Sequence, residues 1–201
     1  SNLTNSASLR IAREVATERD LFSCHGTFYE LPAENADGFA KIRPVASHNF
    51  RIHDYASYRG MLIMTGIDPQ LAKDNSHIFT SDDSNAAVWA GVIDDLWQIG
   101  KPVGQGGPWK DTYVKAGTPS DPYLIAFYDQ KHLSLYHKSQ ESVTFKIEVD
   151  PIGHGPWMTY QEVTVGPGEI YEHDFSKSFQ ARWIRFVANK KTNATAWLSY
   201  K

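Results

Sequence analysis

The densest group of polar side chains that could do chemistry lies between residues 48 and 59. Its members are His48, Arg51, His53, Asp54, Tyr58 and Arg59. A sugar needs hydrogen-bond donors and acceptors together, and a carboxylate or sulfate group matches the planar fork of an arginine. The cluster therefore predicts a binding site for a glycan, which would be acidic if Arg51 and Arg59 both contact it.

A strand-like segment at residues 22–31 adds candidates to this cluster. Side chains alternate between the two faces of a strand, so His25 and Tyr29 are expected on one face. If that face meets the 48–59 loop, His25, Tyr29, His48, His53 and Arg59 converge on one ligand. The alternative is that these are ordinary loop residues and a histidine whose hydrogen bonds are satisfied in the core.

Tryptophans that follow glycine turns are further candidates for sugar binding. Trp109 follows Gly106-Gly107-Pro108, and Trp157 follows Gly155-Pro156. An indole presented in this way can offer its face to a pyranose ring. The alternative is that each ring caps the end of a sheet core. Trp183 and Trp197 lie inside strand-like segments and are expected in the core.

Paired carboxylates raise the alternative of a glycoside hydrolase or a polysaccharide lyase. Asp82-Asp83 and Asp94-Asp95 are the candidates, and a glycosidase needs two carboxyl groups about 5–10 Å apart across the sugar bond. Neighbouring residues of a strand point to opposite faces, so neither pair can act alone. Residues 82–85 (DDSN) are more simply a turn. No catalytic residue is assigned on this basis.

Composition excludes several function classes. The net charge is −3, no long run of lysine or arginine occurs, and a nucleic-acid surface is therefore not expected. No apolar run reaches the roughly 20 residues of a membrane helix. Cys24 is the only cysteine, which excludes an internal disulfide and predicts a buried, unreactive thiol. The histidines match no metal-ligand motif, so neither a metal nor another cofactor is expected.

Short apolar segments separated by Gly, Pro, Asn and Asp predict an all-β fold. Residues 9–15 fit a strand or a helical turn, and the stretch at 100–122 is predicted to be loop. Before that loop the predicted strands are 22–31, 42–47, 60–66, 86–93 and 95–99. After it they are 143–149, 157–165, 170–175, 181–188 and 194–200. Pro44 predicts that the segment 42–47 is an edge strand or a strand with a break.

The predicted organisation is a β-rich region at 1–110 followed by a β-sandwich at 111–201. Alternation at residues 143–149, a type II turn at Gly166-Pro167-Gly168 and a polar hairpin connection at 189–193 predict an antiparallel, jelly-roll-like sandwich. The strands of the first region fit propeller blades or a second sandwich. A closed propeller needs at least four blades and 110 residues hold about two, so the first interpretation also predicts contact with other segments of a larger protein.

Several stretches together resemble the C-terminal part of large secreted proteins of polysaccharide-degrading bacteria. They are residues 18–32 (ERDLFSCHGTFYELP), 43–48 (RPVASH), 58–60 (YRG), 94–109 (DDLWQIGKPVGQGGPW), 117–125 (GTPSDPYLI) and the tail HDFSKSFQARWIRFVA. In those proteins a β-propeller-like region runs into a β-sandwich. The resemblance implies a secreted or periplasmic protein that handles extracellular glycans. It carries no assigned activity.

These observations give three functional hypotheses. The first is a carbohydrate-binding or accessory module of a polysaccharide-processing protein. The second is a glycoside hydrolase or polysaccharide lyase with its site in the 25–59 region. The third is a structural or assembly module whose aromatic residues are all core. Ligand contact is expected at His25, Tyr29, His48, His53, Arg59 and Trp109.

Overall fold

The computed structural model describes residues 10–16, 19–31 and 42–201. Its regular structure is almost entirely antiparallel strand, arranged in four sheets of four strands each. The all-β prediction is therefore confirmed. No helix among the described residues is long and apolar enough to cross a membrane.

The described residues divide into two compact units. Residues 10–16, 19–31 and 44–103 belong to the first, and residues 42–43 and 104–201 belong to the second. The described residues before position 104 form eight strands: β1 (Arg10–Ala16), β2 (Arg19–Cys24), β3 (Thr27–Leu31), β4 (Arg43–Ser47), β5 (Tyr55–Tyr58), β6 (Met61–Met64), β7 (Ile78–Thr80) and β8 (Ala87–Gly91). Two 3₁₀ helices, Pro69–Lys73 and Ile93–Gln98, accompany them.

The first unit contains two sheets, with strand orders β1-β2-β3-β4 and β5-β6-β8-β7. The order of the first sheet follows the chain, and β4 with Pro44 lies at its edge as predicted. Tyr55, whose hydroxyl lies 2.5 Å from the carbonyl oxygen of Leu21 and 2.7 Å from that of Ile11, joins the two sheets. Four-stranded sheets are compatible both with propeller blades and with a second sandwich, so both interpretations of this region stay open.

The second unit is a jelly roll. Its strands are β9 (Gly104–Val114), β10 (Tyr123–Leu124), β11 (Lys131–His137), β12 (Val143–Asp150), β13 (Met158–Val165), β14 (Ile170–Phe175), β15 (Trp183–Ala188) and β16 (Thr192–Tyr200). They form two sheets in the orders β10-β15-β12-β13 and β14-β11-β16-β9. Strands that follow each other in the chain mostly change sheet, which is the connectivity of a double Greek key.

Alternation fixes the core of the jelly roll. Phe145 and Ile147 of β12 are fully buried, as predicted, and Phe186 of β15 packs with them. The type II turn is also confirmed, since Glu169 N donates to Gly166 O at 3.1 Å and Gly168 has a φ of 75°. This turn carries the chain from one sheet to the other.

Two predictions about strand connections are wrong. Residues 22–31 form two strands, since His25 (φ 52°) and Gly26 (φ 74°) make a two-residue hairpin turn between β2 and β3. Residues 189–193 do not make a hairpin, because β15 and β16 belong to different sheets. The first residue of the predicted segment 9–15 lies outside the described residues, and the remainder lies within β1.

Two predictions of element type are also wrong. Residues 95–99 lie largely in the 3₁₀ helix Ile93–Gln98, where Asp95 accepts a hydrogen bond from Val92 N at 2.8 Å. The glycine-rich stretch contains the long strand β9 instead of a loop throughout. Its glycines allow close backbone approach: a Cβ at Gly107 would lie 2.0 Å from Ala196 O, and one at Gly106 would lie 2.1 Å from Ile42 O.

Trp183 and Trp197 are half-buried on the outer faces of their sheets, so their prediction as core residues is wrong. Trp197 lies between two buried neighbours of β16, and Trp183 is followed by the buried Ile184 in β15, so alternation turns each indole outward. Arg43 and Arg182 each place a guanidinium 5.8 Å from the Trp183 ring centre. The register of each strand, and not the apolar character of the side chain, decides which face of the sheet these tryptophans occupy.

Candidate functional site

The residues predicted to share one site lie in several places. His25 lies in the β2–β3 turn and is exposed, whereas Tyr29 is buried in β3. The alternation argument for these two is wrong because His25 is not in a strand. Arg59 is exposed in the β5–β6 turn, where its guanidinium lies 5.3 Å from the Tyr58 ring centre. Trp109 is only 5% exposed in the jelly-roll core, so it offers no face to a sugar.

His48 is held by packing at the end of the first sheet. Its Nε2 lies 3.2 Å from Ser23 Oγ, and its ring lies between Phe28 (centroid distance 4.6 Å) and Phe50 (5.9 Å). Burial lowers the pKa of His48 to about 4, although an interaction with the Phe50 backbone opposes this shift. His48 is therefore neutral near pH 7. Its packing matches the alternative of a core histidine, but its hydrogen bonds are not all satisfied, because its Nδ1 is buried without a hydrogen-bond partner in the described part of the chain.

Arg51 and His53 are brought together, in a groove of about 760 Å³ within the first unit. We call it the Arg51 groove. The residues that line it are Asn49, Phe50, Arg51, His53, Gly66, Ile67, Asp68, Pro69, Leu71, Asn85, Ala86 and Ala87. It combines amide, imidazole and guanidinium groups with an apolar wall. This volume lies in the range of small-molecule binding sites, which typically place a few polar groups on an apolar surface.

Backbone contacts fix the two walls of the Arg51 groove. His53 N donates to Thr65 O at 3.0 Å, and Thr65 N donates to Asp54 O at 2.9 Å. Gly66 follows with a φ of 80°, and a Cβ there would lie 2.4 Å from Arg51 O and 2.7 Å from His53 N. Only glycine therefore allows the segment 65–68 to pack this closely against the segment 51–54.

Asp68 and the 82–85 turn complete the framework. Asp68 Oδ1 caps the 3₁₀ helix Pro69–Lys73 by accepting from Gln70 N at 2.9 Å. At the other side Asp83 accepts from Ser81 Oγ at 2.6 Å and from the side-chain amide of Asn85 at 2.9 Å. These bonds lower the pKa of Asp83 to about 2. The predicted turn at 82–85 is thus confirmed, and Asp83 holds Asn85 in place.

The Arg51 groove offers several polar groups that could contact a ligand. Among the described residues that line it, Asp68 is the only carboxylate, and it already caps a helix. The arrangement provides hydrogen-bond donors, amide acceptors and one guanidinium. The described residues contain no group of three or more His, Cys, Asp or Glu side chains able to hold a metal ion.

Part of this groove carries a sequence signal that the prediction missed. Asp68-Pro69 is a typical start of a helical turn, with an N-cap carboxylate followed by proline at the first position. Gly66 and Asn85 carry no such signal, because their role depends on contacts with residues distant in the chain.

Comparisons with known proteins found no match for this chain. No family model matches the chain, and neither a curated protein nor a solved structure matches it significantly.

Proposed function

We propose that this protein is a glycan-binding accessory module of an exported polysaccharide-processing protein, and that the Arg51 groove is its binding site. The observation that carries the proposal is the convergence of Arg51 and His53 with the amide side chains Asn49 and Asn85 in one groove with an apolar wall. Sugars present hydroxyl groups on the rim of an apolar ring face, which requires this mixture.

Arg51 favours a glycan that carries carboxylate or sulfate groups. Its side chain is exposed, and a guanidinium binds such groups through two parallel hydrogen bonds. Affinity for an acidic glycan should therefore fall as salt rises, because an exposed ion pair is screened. The absence of a second carboxylate among the groove's described lining residues favours binding over glycoside hydrolysis.

The test is a screen of acidic and neutral polysaccharides for both binding and turnover, followed by calorimetry with single variants. We expect Arg51→Ala to weaken binding of the acidic glycan by about tenfold or more, since hydrogen bonds to charged groups contribute about 1.5–3 kcal/mol. His53→Ala should weaken it less.

Arg59→Ala is the matched control. It removes the same charge from an exposed turn, and strand β5 (Tyr55–Tyr58) separates it from His53 by more than about 10 Å of extended chain. Equal losses of affinity in Arg51→Ala and Arg59→Ala would show that the effect comes from net charge and not from a contact with Arg51. Unchanged affinity in Arg51→Ala and His53→Ala with a loss in Trp157→Ala would move the site to the jelly roll. Release of reducing ends or unsaturated products would favour the hydrolase or lyase alternative.

A further inference from the structure

The outer face of the sheet β14-β11-β16-β9 carries an organised set of polar side chains that the Arg51 groove does not include. Strand register places Asp174 opposite His132, and Glu172 opposite Ser134. Ser134 in turn lies opposite Trp197 on β16. The inward residues of the same strands, among them Leu133 and Leu135, are core, so these five polar and aromatic side chains share the outer face. We call it the His132 face.

His132 bridges two carboxylates. Its Nδ1 lies 2.7 Å from Asp174 Oδ1, and its Nε2 makes a short contact with Glu172 Oε2. Ser134 Oγ donates to the same Glu172 oxygen at 2.8 Å. Both ring nitrogens can donate only from the imidazolium form, and the hydrogen bond to Asp174 is the largest of the effects that raise the pKa of His132. When the ring carries both protons, the network places one cation between two carboxylates.

The gain in stability from this network is small. The side chains of Asp174, Glu172 and His132 are 86%, 48% and 37% exposed, respectively. Exposed ion pairs contribute between roughly zero and 1 kcal/mol. The same contacts nevertheless fix the orientation of three strong hydrogen-bonding groups at a surface, and the exposed carboxylate oxygens keep lone pairs that can accept from a ligand.

Trp197 supplies an aromatic surface beside this network. Its Nε1 donates to Gln105 Oε1 at 3.2 Å, which fixes the ring, and Lys110 Nζ lies 4.3 Å from the ring centre. Trp197 of β16 lies opposite Ser134 of the neighbouring strand β11, and His132 lies two residues from Ser134 in β11. The spacing of strands and residues places Trp197 and His132 about 8 Å apart.

A groove of about 670 Å³ lies at the same end of the sheet. His132, Asp174 and Ser199 line it, together with Lys177 and Lys201. Its volume is within the range of small-ligand sites. The groove and the His132 face therefore share His132 and Asp174, while Glu172, Ser134 and Trp197 lie on the sheet surface beside the groove.

We propose that the His132 face is a second glycan-binding site, for neutral polysaccharides, in which a sugar ring stacks on Trp197 and neighbouring hydroxyl groups donate to Asp174 and Glu172. A carboxylate is a strong acceptor for a sugar hydroxyl, whereas a uronate or sulfate next to Glu172 and Asp174 would be repelled. The proposal shares only the ligand class with the proposed function. Its failure leaves the Arg51 groove untouched.

The test uses the full chain with soluble glucan, xylan and mannan oligosaccharides. We expect Trp197→Ala to raise the Kd by about tenfold, as for the loss of a central aromatic anchor, and Asp174→Asn to raise it about fivefold. Asp174→Asn guards against misfolding, because its side chain is almost fully exposed. Trp157→Ala is the matched control: this half-buried indole lies against Arg185, at 4.1 Å, on the other sheet, and its loss should leave the Kd unchanged.

Several results would overturn the proposal. One is that none of these neutral oligosaccharides binds the unmodified chain at millimolar concentration. Another is that Trp197→Ala and Asp174→Asn bind these oligosaccharides as tightly as the unmodified chain does. A third is that Arg51→Ala abolishes their binding, which would assign neutral glycans to the Arg51 groove. The proposal is supported if the Kd of the unmodified chain is the same at low and high salt and if it rises in both Trp197→Ala and Asp174→Asn.

Discussion

Replacement of Gly66 by alanine should destabilise the protein in two ways, by backbone strain at a positive φ and by steric overlap of the added methyl group. A comparison with Gly60 separates the two effects. Gly66 and Gly60 have nearly the same backbone conformation, with φ values of 80° and 81°. They differ in their surroundings. A Cβ at Gly66 would lie 2.4 Å from Arg51 O and 2.9 Å from His53 Cγ, whereas a Cβ at Gly60 would meet nothing within 4 Å. Gly60→Ala is therefore a matched control for strain alone.

The expected costs follow from these distances. Alanine in the left-handed conformation costs about 1–2 kcal/mol, and this is the whole effect expected for Gly60→Ala. At Gly66 the added methyl must also displace backbone atoms, and overpacking of this kind costs a further 1–3 kcal/mol or so. Gly66→Ala should therefore lower the free energy of unfolding by about 2–5 kcal/mol.

Urea denaturation gives the free energy of unfolding, and hydrogen exchange locates the loss. The amides of His53 and Thr65, which bridge the two walls of the Arg51 groove, should exchange faster in Gly66→Ala than in Gly60→Ala. Binding of an acidic glycan should weaken in the first variant only. Equal destabilisation by the two variants would refute the claim that close packing of these walls requires glycine.

Three further predictions concern titratable groups. Because burial lowers the pKa of His48 to about 4, its contribution to stability should be complete above about pH 6.5 and fall by roughly 3 kcal/mol as the pH drops to 4. Urea denaturation midpoints of the parent and of His48→Gln at both pH values measure this loss. Parallel pH profiles of the two proteins would contradict it. The raised pKa of His132 makes its contribution complete below about pH 6.5 and lost as the pH rises through that raised value, and NMR titration should show the pKa falling in Asp174→Asn and Glu172→Gln. Cys24, which is reduced and 1% exposed, should react with a thiol reagent only after unfolding, and rapid labelling of the native chain would contradict this.

Periodicity was sufficient to predict most of the jelly roll. In β12, Val143, Phe145 and Ile147 alternate with polar residues, and each of the three is fully buried. The prediction did not apply this signal to Trp197, because it gave hydrophobic character more weight than register. It also failed at Gly106 and Gly107, where glycines that serve close strand packing in β9 were taken for loop residues.

The candidate sites were harder to predict, since pairing between distant strands is not encoded locally. His48, Arg51 and His53 are close in sequence, yet only Arg51 and His53 line the groove, and the packing of Phe28 and Phe50 around His48 was not predicted. The polar alternation of β11 and β14 is visible in the sequence. What places His132 beside Asp174 is the return of the chain to the sheet β14-β11-β16-β9 at the type II turn, and alternation alone does not indicate which sheet a strand joins.

The pairing of β9 with β16 has a consequence for the way the protein is made. Tyr200 lies opposite Gly104, and β16 is the strand that joins β9 to β11 in its sheet. While the ribosome is still adding residues 192–200, β9 and β11 have no partner between them, and Leu133, Leu135 and Trp109 cannot be fully enclosed. The sheet of this unit can therefore be completed only after β16 has left the exit tunnel, and until then the edges of β9 and β11 that face β16 are unpaired.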